Sequence, residues 1–246
     1  MIENTCEKAK ALRLKTIGNQ LLQVMETAGE NNWPPLKTID HLFELEIETR
    51  RLNRIAQRFR QSRLTEKLTI DQFDFGHHSS RKKQKTRILD LMSLGFLKAK
   101  MDLILIGNPG VGKTFLAKTV AYMATQAGKK VLFTTAMDMI NHLIAAEADH
   151  SLLKKLHYYQ SPELLVIDEI GYLALGKQGS NLFFQVISQR HEAKSTAITT
   201  NLPFADWGKI FDSTSVATAI ADRLVHNSQI FILEGPSYRK RTKKNT

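Results

Sequence analysis

Residues 102–114 read DLILIGNPGVGKT, and this stretch decides the fold class of the chain. Its apolar first half predicts a strand, and the loop that follows matches the pattern G-x-x-x-x-G-K-[ST] without deviation. A helix-like run, TFLAKTVAYMATQAG, comes directly after the loop. Glycines let such a loop curl so that successive backbone N–H groups point at phosphates. The stretch therefore predicts a three-layer α/β fold of the P-loop NTPase class.

The loop predicts an ATP site between this strand and the helix that follows. The positive end of the helix dipole favours phosphate at that place. We expect Lys113 to reach the β- and γ-phosphates and to act in catalysis, and Thr114 to ligate Mg²⁺. The residues expected to bind the nucleotide are Gly107, Asn108, Pro109, Gly110, Val111, Gly112, Lys113 and Thr114.

A second apolar run, LLVIDE at 164–169, ends in the acids Asp168 and Glu169. We expect the carboxylate of Asp168 to hold Mg²⁺, directly or through water. Glu169 is suited to polarise the attacking water as a general base. Metabolic kinases deliver phosphate to a bound acceptor and need no carboxylate for water. The acidic pair therefore predicts Mg²⁺-dependent hydrolysis of ATP to ADP and phosphate.

Two later motifs leave alternatives open. The run TAITTN ends at Asn201. If its strand lies between the first two, Thr200 or Asn201 would face the γ-phosphate and could position the water, whereas Asn201 could instead simply begin a turn. Arg223 in IADRLVHN could reach the γ-phosphate of a neighbouring subunit, as arginine fingers do. It could equally pair with Asp222 or Asp168 in its own chain.

Five apolar runs separated by helical patterns predict a parallel sheet covered on both faces. These runs are 102–107, 130–135, 164–169, 196–201 and 229–235. The chain has the length for one large domain, or for an α/β domain with a small appendage.

The residues before this sheet predict a separate small domain, all helical, over 1–68. A stripe of apolar side chains predicts one helix over 8–29, and a second helix is expected to start after Thr38, which can cap it. The stripe of the first helix is Leu14, Ile17, Leu21 and Met25. Residues 69–86 are expected to be a linker, and residues 87–246 the ATPase domain with a basic C-terminal tail.

The net charge of +11 is localised rather than spread over the chain. Residues 50–100 hold 14 basic and 4 acidic side chains, and residues 231–246 hold 5 and 1, whereas residues 101–230 are balanced. A localised basic region favours a polyanion such as duplex DNA, although a merely solvated surface is the alternative. The predicted DNA contacts are Arg50, Arg51, Arg54, Arg58, Arg60 and Arg63, with Lys154 and Lys155 from a long segment at 137–162.

Other classes of protein are disfavoured by what the sequence lacks. Cys6 is the single cysteine, which excludes a disulfide framework. The N-terminus has no apolar stretch of the signal-peptide kind, and no apolar run approaches the roughly 20 residues of a membrane span. We therefore expect a cytoplasmic protein with no membrane association.

The ordered motifs resemble a known family, the AAA+ ATPases of the IstB/DnaC group. The resemblance rests on GNPGVGKT, LLVIDE, TTN, ADRL and PSYRKR, and the stretch RRLNRIAQRFRQSRL followed by FDF is similar to the IstB side of the group. It covers essentially the whole chain. The chain ends soon after its last strand, so an AAA+ core without a full C-terminal lid is implied.

The resemblance implies a RecA-like sheet in which the strand of Asn201 lies between those of the P-loop and Asp168. It implies head-to-tail assembly with ATP bound, with Arg223 acting on the neighbouring subunit and Arg239 lying near the nucleotide or the subunit interface. It also implies an insertion-sequence helper that binds duplex DNA and assists a partner transposase, IstA, in target selection and insertion.

A DnaC-like replicative helicase loader is the alternative, because it shares the ATPase core. Its N-terminal domain would bind a helicase, and single-stranded DNA would bind to its core. A P-loop kinase is disfavoured by Glu169 and Arg223. A DNA-binding module with an inactive ATP site is disfavoured by the intact Lys113, Thr114 and acidic pair.

Overall fold

The computed structural model describes residues 2–238. The chain divides into two compact units between Gln57 and Arg58. This division comes before the predicted domain boundary at residue 68, so residues 58–68 belong with the α/β unit. No helix among residues 2–238 is long and apolar enough to cross a membrane.

The first unit is helical, as expected, but its helices begin and end at other residues. Helices α1 (Ile2–Ala11) and α2 (Lys15–Glu30) replace the single helix predicted over 8–29. The chain breaks between them at Arg13, whose φ of 62° lies in the left-handed region. Helix α3 (Pro35–Gln61) begins before Thr38, which therefore does not cap it. Proline is tolerated there because the first turn of a helix has no use for its missing N–H.

A small apolar core joins the three helices of this unit. It is formed by Ala9, Ile17, Leu21, Val24 and Leu42. Met25, predicted to lie in the buried stripe, is 47% exposed, because Val24 takes the inward position on that turn.

The buried carboxylate of Glu46 on α3 caps the first turn of α2. Its Oε2 accepts hydrogen bonds from the backbone N–H groups of Thr16 (2.8 Å) and Ile17 (3.2 Å). These bonds and the side chain of Arg50 lower the pKa of Glu46, against the opposing effect of burial.

The segment predicted as a linker, 69–86, is folded into the second unit. It contains a 3₁₀ turn (Ile70–Gln72) and helix α4 (Ser79–Lys83), and helices α5 (Lys85–Asp90) and α6 (Gly95–Lys98) follow. Phe73 and Arg81 from this segment are buried. The basic run at 81–85 gave no sign that this segment is folded, because Arg81 is its only buried side chain.

A five-stranded parallel sheet forms the centre of the second unit, as the sequence predicts. Its strands are β1 (Asp102–Gly107), β2 (Val131–Thr135), β3 (Leu164–Ile170), β4 (Ser195–Thr200) and β5 (Ser228–Leu233). Their order is β2-β3-β4-β1-β5, so β4 lies between β1 and β3. All neighbouring pairs are parallel.

Helices cover both faces of this sheet and make the unit three-layered. They are α7 (Lys113–Gln126), α8 (Ala136–Ala148), α9 (Leu152–Gln160), α10 (Gly176–Arg190) and α11 (Thr214–His226), with a 3₁₀ turn at Phe204–Lys209. Alternate residues of β1 face opposite sides. Leu103 and Leu105 pack in the core on the side of α7, and Ile104 packs in the core with α8 to α11. This is the predicted α/β class.

A buried carboxylate marks the beginning of β1. Asp102 accepts a hydrogen bond of 2.6 Å from the backbone N–H of Thr196. Burial raises the pKa of Asp102 to about 7 and outweighs the attraction of the Arg190 guanidinium. Arg190 is itself fully buried and donates to the carbonyls of residues 159, 160, 162 and 195.

Candidate nucleotide site

The phosphate loop leads from β1 into α7, in the arrangement that its motif predicts. At Gly107 a β-carbon would lie 2.1 Å from the carbonyl oxygen of Leu233, so only glycine fits beside β5. Gly112 has a φ of 101° and directly precedes the first residue of α7. Nζ of Lys113 donates to the carbonyls of Gly107 (2.6 Å) and Asn108 (2.9 Å). The loop thus holds its lysine on its inner side, where phosphate would bind.

Two oxygen donors of the predicted metal site lie side by side. Oγ1 of Thr114 donates to Oδ1 of Asp168 at 3.0 Å, and Asp168 is only 4% exposed. Among residues 2–238, no group of three or more His, Cys, Asp or Glu side chains is arranged so that it could hold a metal ion. Mg²⁺ is usually held by one or two protein oxygens together with substrate phosphates and water. One hydroxyl and one carboxylate beside a phosphate loop therefore fit Mg²⁺ rather than a metal that the protein encloses fully.

Thr199 on β4 connects the two acids, and the sequence did not single it out. Its hydroxyl donates to Oδ1 of Asp168 and accepts from the backbone N–H of Glu169 at 3.0 Å. Thr199 is fully buried and lines the same cavity. A threonine inside a β-branched strand gives no local signal of such a contact.

An irregularity in β3 directs the Glu169 side chain. The register against β4 shifts between Ile167 and Ile170, and Glu169 has a φ of 66°. A non-glycine residue in this region is strained, and such strain is concentrated at functional sites. Glu169 is exposed in the cavity whereas Asp168 beside it is buried. The two carboxylates are therefore suited to different roles.

Asn201 lies in the wall of the cavity, directly after β4. Its Oδ1 is buried without a hydrogen-bond partner among the described residues. Gly171 makes room for it, because a β-carbon there would lie 2.6 Å from this oxygen. The position fits the role of holding water near the γ-phosphate. Asn201 also starts the turn after its strand. The two predicted roles, positioning water and beginning a turn, are therefore compatible.

In the described part of the chain, Arg223 on α11 does not line the cavity beside the phosphate loop. It donates to the carbonyl of Ala219 at 2.9 Å and stacks on the ring of Phe184 at 4.7 Å. Among residues 2–238 it forms no ion pair with Asp222 or Asp168. The two intramolecular alternatives are therefore not adopted.

The cavity beside the phosphate loop has a volume of about 320 Å³, within the range of small-molecule sites. Its wall includes Phe73, Arg81 and Tyr238. Tyr238 donates its backbone N–H to the carbonyl of Gly110 at 2.9 Å. Arg239, predicted to lie near the nucleotide, is outside the described residues.

Comparison with known proteins decides the family. The pattern of the family described as IstB-like ATP binding protein matches residues 7–246. The chain belongs to this IstB-like family.

Relatives of this IstB-like chain come from insertion sequences. A protein of Geobacillus stearothermophilus named as an ATP-binding protein of insertion sequence IS5376 is 36% identical over 244 residues, which cover 99% of this chain and 96% of that protein. A Bacillus thuringiensis subsp. berliner protein named in the same way for IS232 is 34% identical over 228 residues, covering 93% and 90%.

Solved structures with the same fold include replication proteins. The DnaC helicase loader has a TM-score of 0.58 at 22% identity, over 68% of this chain and 96% of that one. AMPPCP-bound DnaA from Aquifex aeolicus has a TM-score of 0.59 at 17% identity, over 74% and 55%. At these identities the likeness concerns the fold alone. It confirms the three-layer α/β fold of the second unit. The family makes the chain an ATP-binding protein.

The arginines predicted to bind DNA are divided between the two units of the IstB-like protein. In the first unit, Arg50 donates to Glu46 (2.8 Å) and to the carbonyl of Arg13 (2.7 Å), and Arg51 forms two bonds with Glu48. Arg54 is exposed and forms no ion pair within the described chain. Arg50 and Arg51 are therefore partly neutralised.

In the second unit, two basic stretches meet at one aromatic ring. The guanidinium of Arg63 lies 5.5 Å from the ring of Tyr158, and Nζ of Lys155 lies 5.7 Å from the same ring. Lys154 and Arg60 are exposed, whereas Arg58 is half-buried and donates to the carbonyl of Gly128. Residues that the sequence offered from separate segments thus form one basic, aromatic cluster: Arg63, Lys155 and Tyr158.

Proposed function

We propose that this chain is an ATPase that assembles on duplex DNA with ATP bound and assists a partner transposase in target selection and insertion. The observation that carries the proposal is the acidic pair beside the phosphate loop, in a chain whose relatives are named for insertion sequences. Asp168 is buried against Thr114 and Glu169 is exposed to the cavity.

Hydrolysis would follow from the different surroundings of the two carboxylates. Mg²⁺, when bound, would neutralise charge on the phosphates, and Thr114 and Asp168 are the residues suited to hold it. The backbone N–H groups of the loop and Lys113 would orient the triphosphate. Glu169 would accept a proton from the attacking water, and Asn201 would orient that water. Thr199 would keep the carboxylate of Asp168 and the backbone of Glu169 in place.

Arg223 would complete the site of a neighbouring subunit in a head-to-tail assembly. Its own cavity lacks it, and its side chain lies on α11 with no acidic partner within the described chain. An arginine that stabilises the transferred phosphoryl charge from a second subunit makes hydrolysis depend on assembly. ATP would then control assembly, and hydrolysis would release it.

DNA would be bound by basic side chains of both units, through phosphates rather than base edges. The cluster of Arg63, Lys155 and Tyr158 supports this, since two cations and a half-exposed ring occupy one surface. Contacts of this kind position DNA and carry little sequence information, so selectivity would come from DNA shape. Such binding suits an insertion sequence that uses many targets.

The test is ATP turnover by the full chain with and without duplex DNA. We expect duplex DNA to raise the rate of phosphate release several-fold, and Glu169→Gln to lose turnover while still binding ATP. An unchanged rate with duplex DNA, together with stimulation by single-stranded DNA, would favour the helicase-loader alternative. Full turnover by Glu169→Gln would refute the hydrolytic role.

A further inference from the structure

Arg81 is a buried cation that the proposed hydrolysis does not use. It is 2% exposed, although Lys82 and Lys83 beside it on α4 are exposed. Burial lowers its pKa, against the opposing effects of Asp74 and Tyr238. An arginine is rarely buried unless its hydrogen bonds require that position.

The guanidinium of Arg81 joins two segments that are distant in the sequence. One terminal nitrogen donates to the carbonyl of Asp74 at 2.9 Å, and the other donates to the carbonyl of Val111 in the phosphate loop at 2.7 Å. The fork of a guanidinium is planar and rigid, so these two bonds fix the distance between the segments.

Two aromatic rings lie against the same guanidinium. The ring of Phe73 is 4.6 Å from its central carbon, and the ring of Tyr238 is 5.5 Å away. Tyr238 is also bonded through its backbone to Gly110 of the phosphate loop. Arg81 therefore holds one ring before the sheet and one ring after it, both in the wall of the cavity.

The side chains around Gly112 of the phosphate loop are closely packed. A β-carbon on Gly112 would lie 2.9 Å from the ring of Phe73 and 3.2 Å from the guanidinium of Arg81. A shift of Arg81 would therefore move Phe73 relative to the loop. The loop has further support from β1, α7 and the bonds of Lys113, whereas Phe73 and Tyr238 lie in segments without strand pairing.

We propose that Arg81 is a positioning residue of the nucleotide site. It holds the rings of Phe73 and Tyr238 at a fixed position relative to the phosphate loop, where they form the wall that contacts the base and ribose. The inference rests on nucleotide binding at this cavity and is independent of hydrolysis and DNA binding. Arg81 acts through the two rings, so its loss should weaken the binding of ATP more than that of a ligand without a base.

The experiment measures binding of ATP and of inorganic triphosphate to the full chain by calorimetry, without DNA. Arg81→Gln removes the fork, and Lys82→Gln on the same helix removes an equal charge from the surface as a control. We expect Arg81→Gln to weaken ATP binding at least about tenfold and triphosphate binding less than about threefold, and Lys82→Gln to leave both unchanged.

A purely structural role of Arg81 would give another result. An equal loss for both ligands, or no loss in a folded Arg81→Gln variant, would overturn the proposal. Tyr238→Leu covers the case in which Arg81→Gln does not fold, because Tyr238 is at the surface. It should show the same selective loss, to a smaller degree, and equal binding of ATP by Tyr238→Leu and the wild type would count against the proposal. Since no turnover is measured, a chain that binds but does not hydrolyse ATP would refute only the proposed function.

Discussion

Thr199 and Asp168 lie on neighbouring strands and share a hydrogen bond in which the threonine hydroxyl donates to the carboxylate. The same hydroxyl accepts from the backbone N–H of Glu169, whose φ is 66°. One side chain of β4 thus supports both acids of β3. The geometry of the site depends on the contact between the two strands as well as on the motif in each.

Replacement of Thr199 by valine should impair hydrolysis without impairing ATP binding. Valine has nearly the same shape but cannot bond to either acid, and a hydrogen bond to a charged group contributes roughly 1.5–3 kcal/mol. We expect kcat to fall about 10- to 100-fold, and Thr199→Ser to restore most of it. Steady-state kinetics measures this. The control variant is Thr119→Val, because Thr119 is a buried threonine of α7 outside the site. An unchanged kcat in Thr199→Val would contradict this role.

Arg223 should act on a neighbouring subunit rather than its own. Arg223→Ala is expected to bind ATP normally and to lose hydrolysis by about 1,000-fold, the lower end for an arginine finger. Mixing it with Glu169→Gln should restore activity, because some interfaces then combine an intact arginine with an intact glutamate. Phosphate release across mixing ratios measures this, and a flat response at every ratio would argue against action between subunits.

The cluster of Arg63, Lys155 and Tyr158 should contribute to phosphate binding. Each neutralised phosphate changes the slope of log K against log salt by about 0.9 for duplex DNA. The double variant Arg63→Ala/Lys155→Ala should therefore reduce the steepness of that slope by about 1.8. Fluorescence anisotropy with a duplex from low to moderate salt measures it. Lys177→Ala, an exposed lysine on α10, should leave the slope unchanged. Identical slopes for the wild type and the double variant would remove the cluster from the DNA surface.

The buried Asp102 should make stability fall as the pH rises toward neutrality. Burial raises its pKa to about 7, from 3.8. Between these values the folded state binds more protons than the unfolded state, so the free energy of unfolding decreases with pH, by up to about 1.4 kcal/mol per unit. Asp102→Asn keeps the acceptor for Thr196 and should flatten this dependence, whereas the exposed Asp90→Asn should not. Denaturant unfolding from pH 4 to 7.5 tests this, and equal pH profiles for Asp102→Asn and the wild type would be contrary to expectation.

The sequence predicts those parts of the site that depend on neighbours along the chain. Lys113 and Thr114 follow from the spacing of the loop, and Asp168 and Glu169 follow from the end of an apolar strand. The order of strands that brings Asn201 beside them was implied by the resemblance and is observed. Local spacing sufficed because each motif is one continuous stretch of chain.

The contacts that the sequence did not predict join residues far apart in the chain. Arg81 meets Val111, Glu46 meets Thr16, and in each case a charged side chain turns inward to satisfy distant backbone groups. In the sequence, the inward Arg81 is one more basic residue beside the exposed Lys82 and Lys83, so nothing marks it as buried. The helix boundaries were wrong for a related reason. The left-handed conformation of Arg13 and the start of α3 at Pro35 depend on tertiary packing, which local sequence patterns do not contain.

The affinity for duplex DNA, measured with and without nucleotide, tests most directly whether ATP controls DNA binding. The wild type should bind duplex DNA tightly with ATP and Mg²⁺ and weakly with ADP or without nucleotide. Lys113→Ala should bind weakly under all conditions, and Glu169→Gln should bind tightly with ATP and dissociate slowly, because it does not hydrolyse. Equal duplex affinity with ATP, with ADP and without nucleotide would contradict the account.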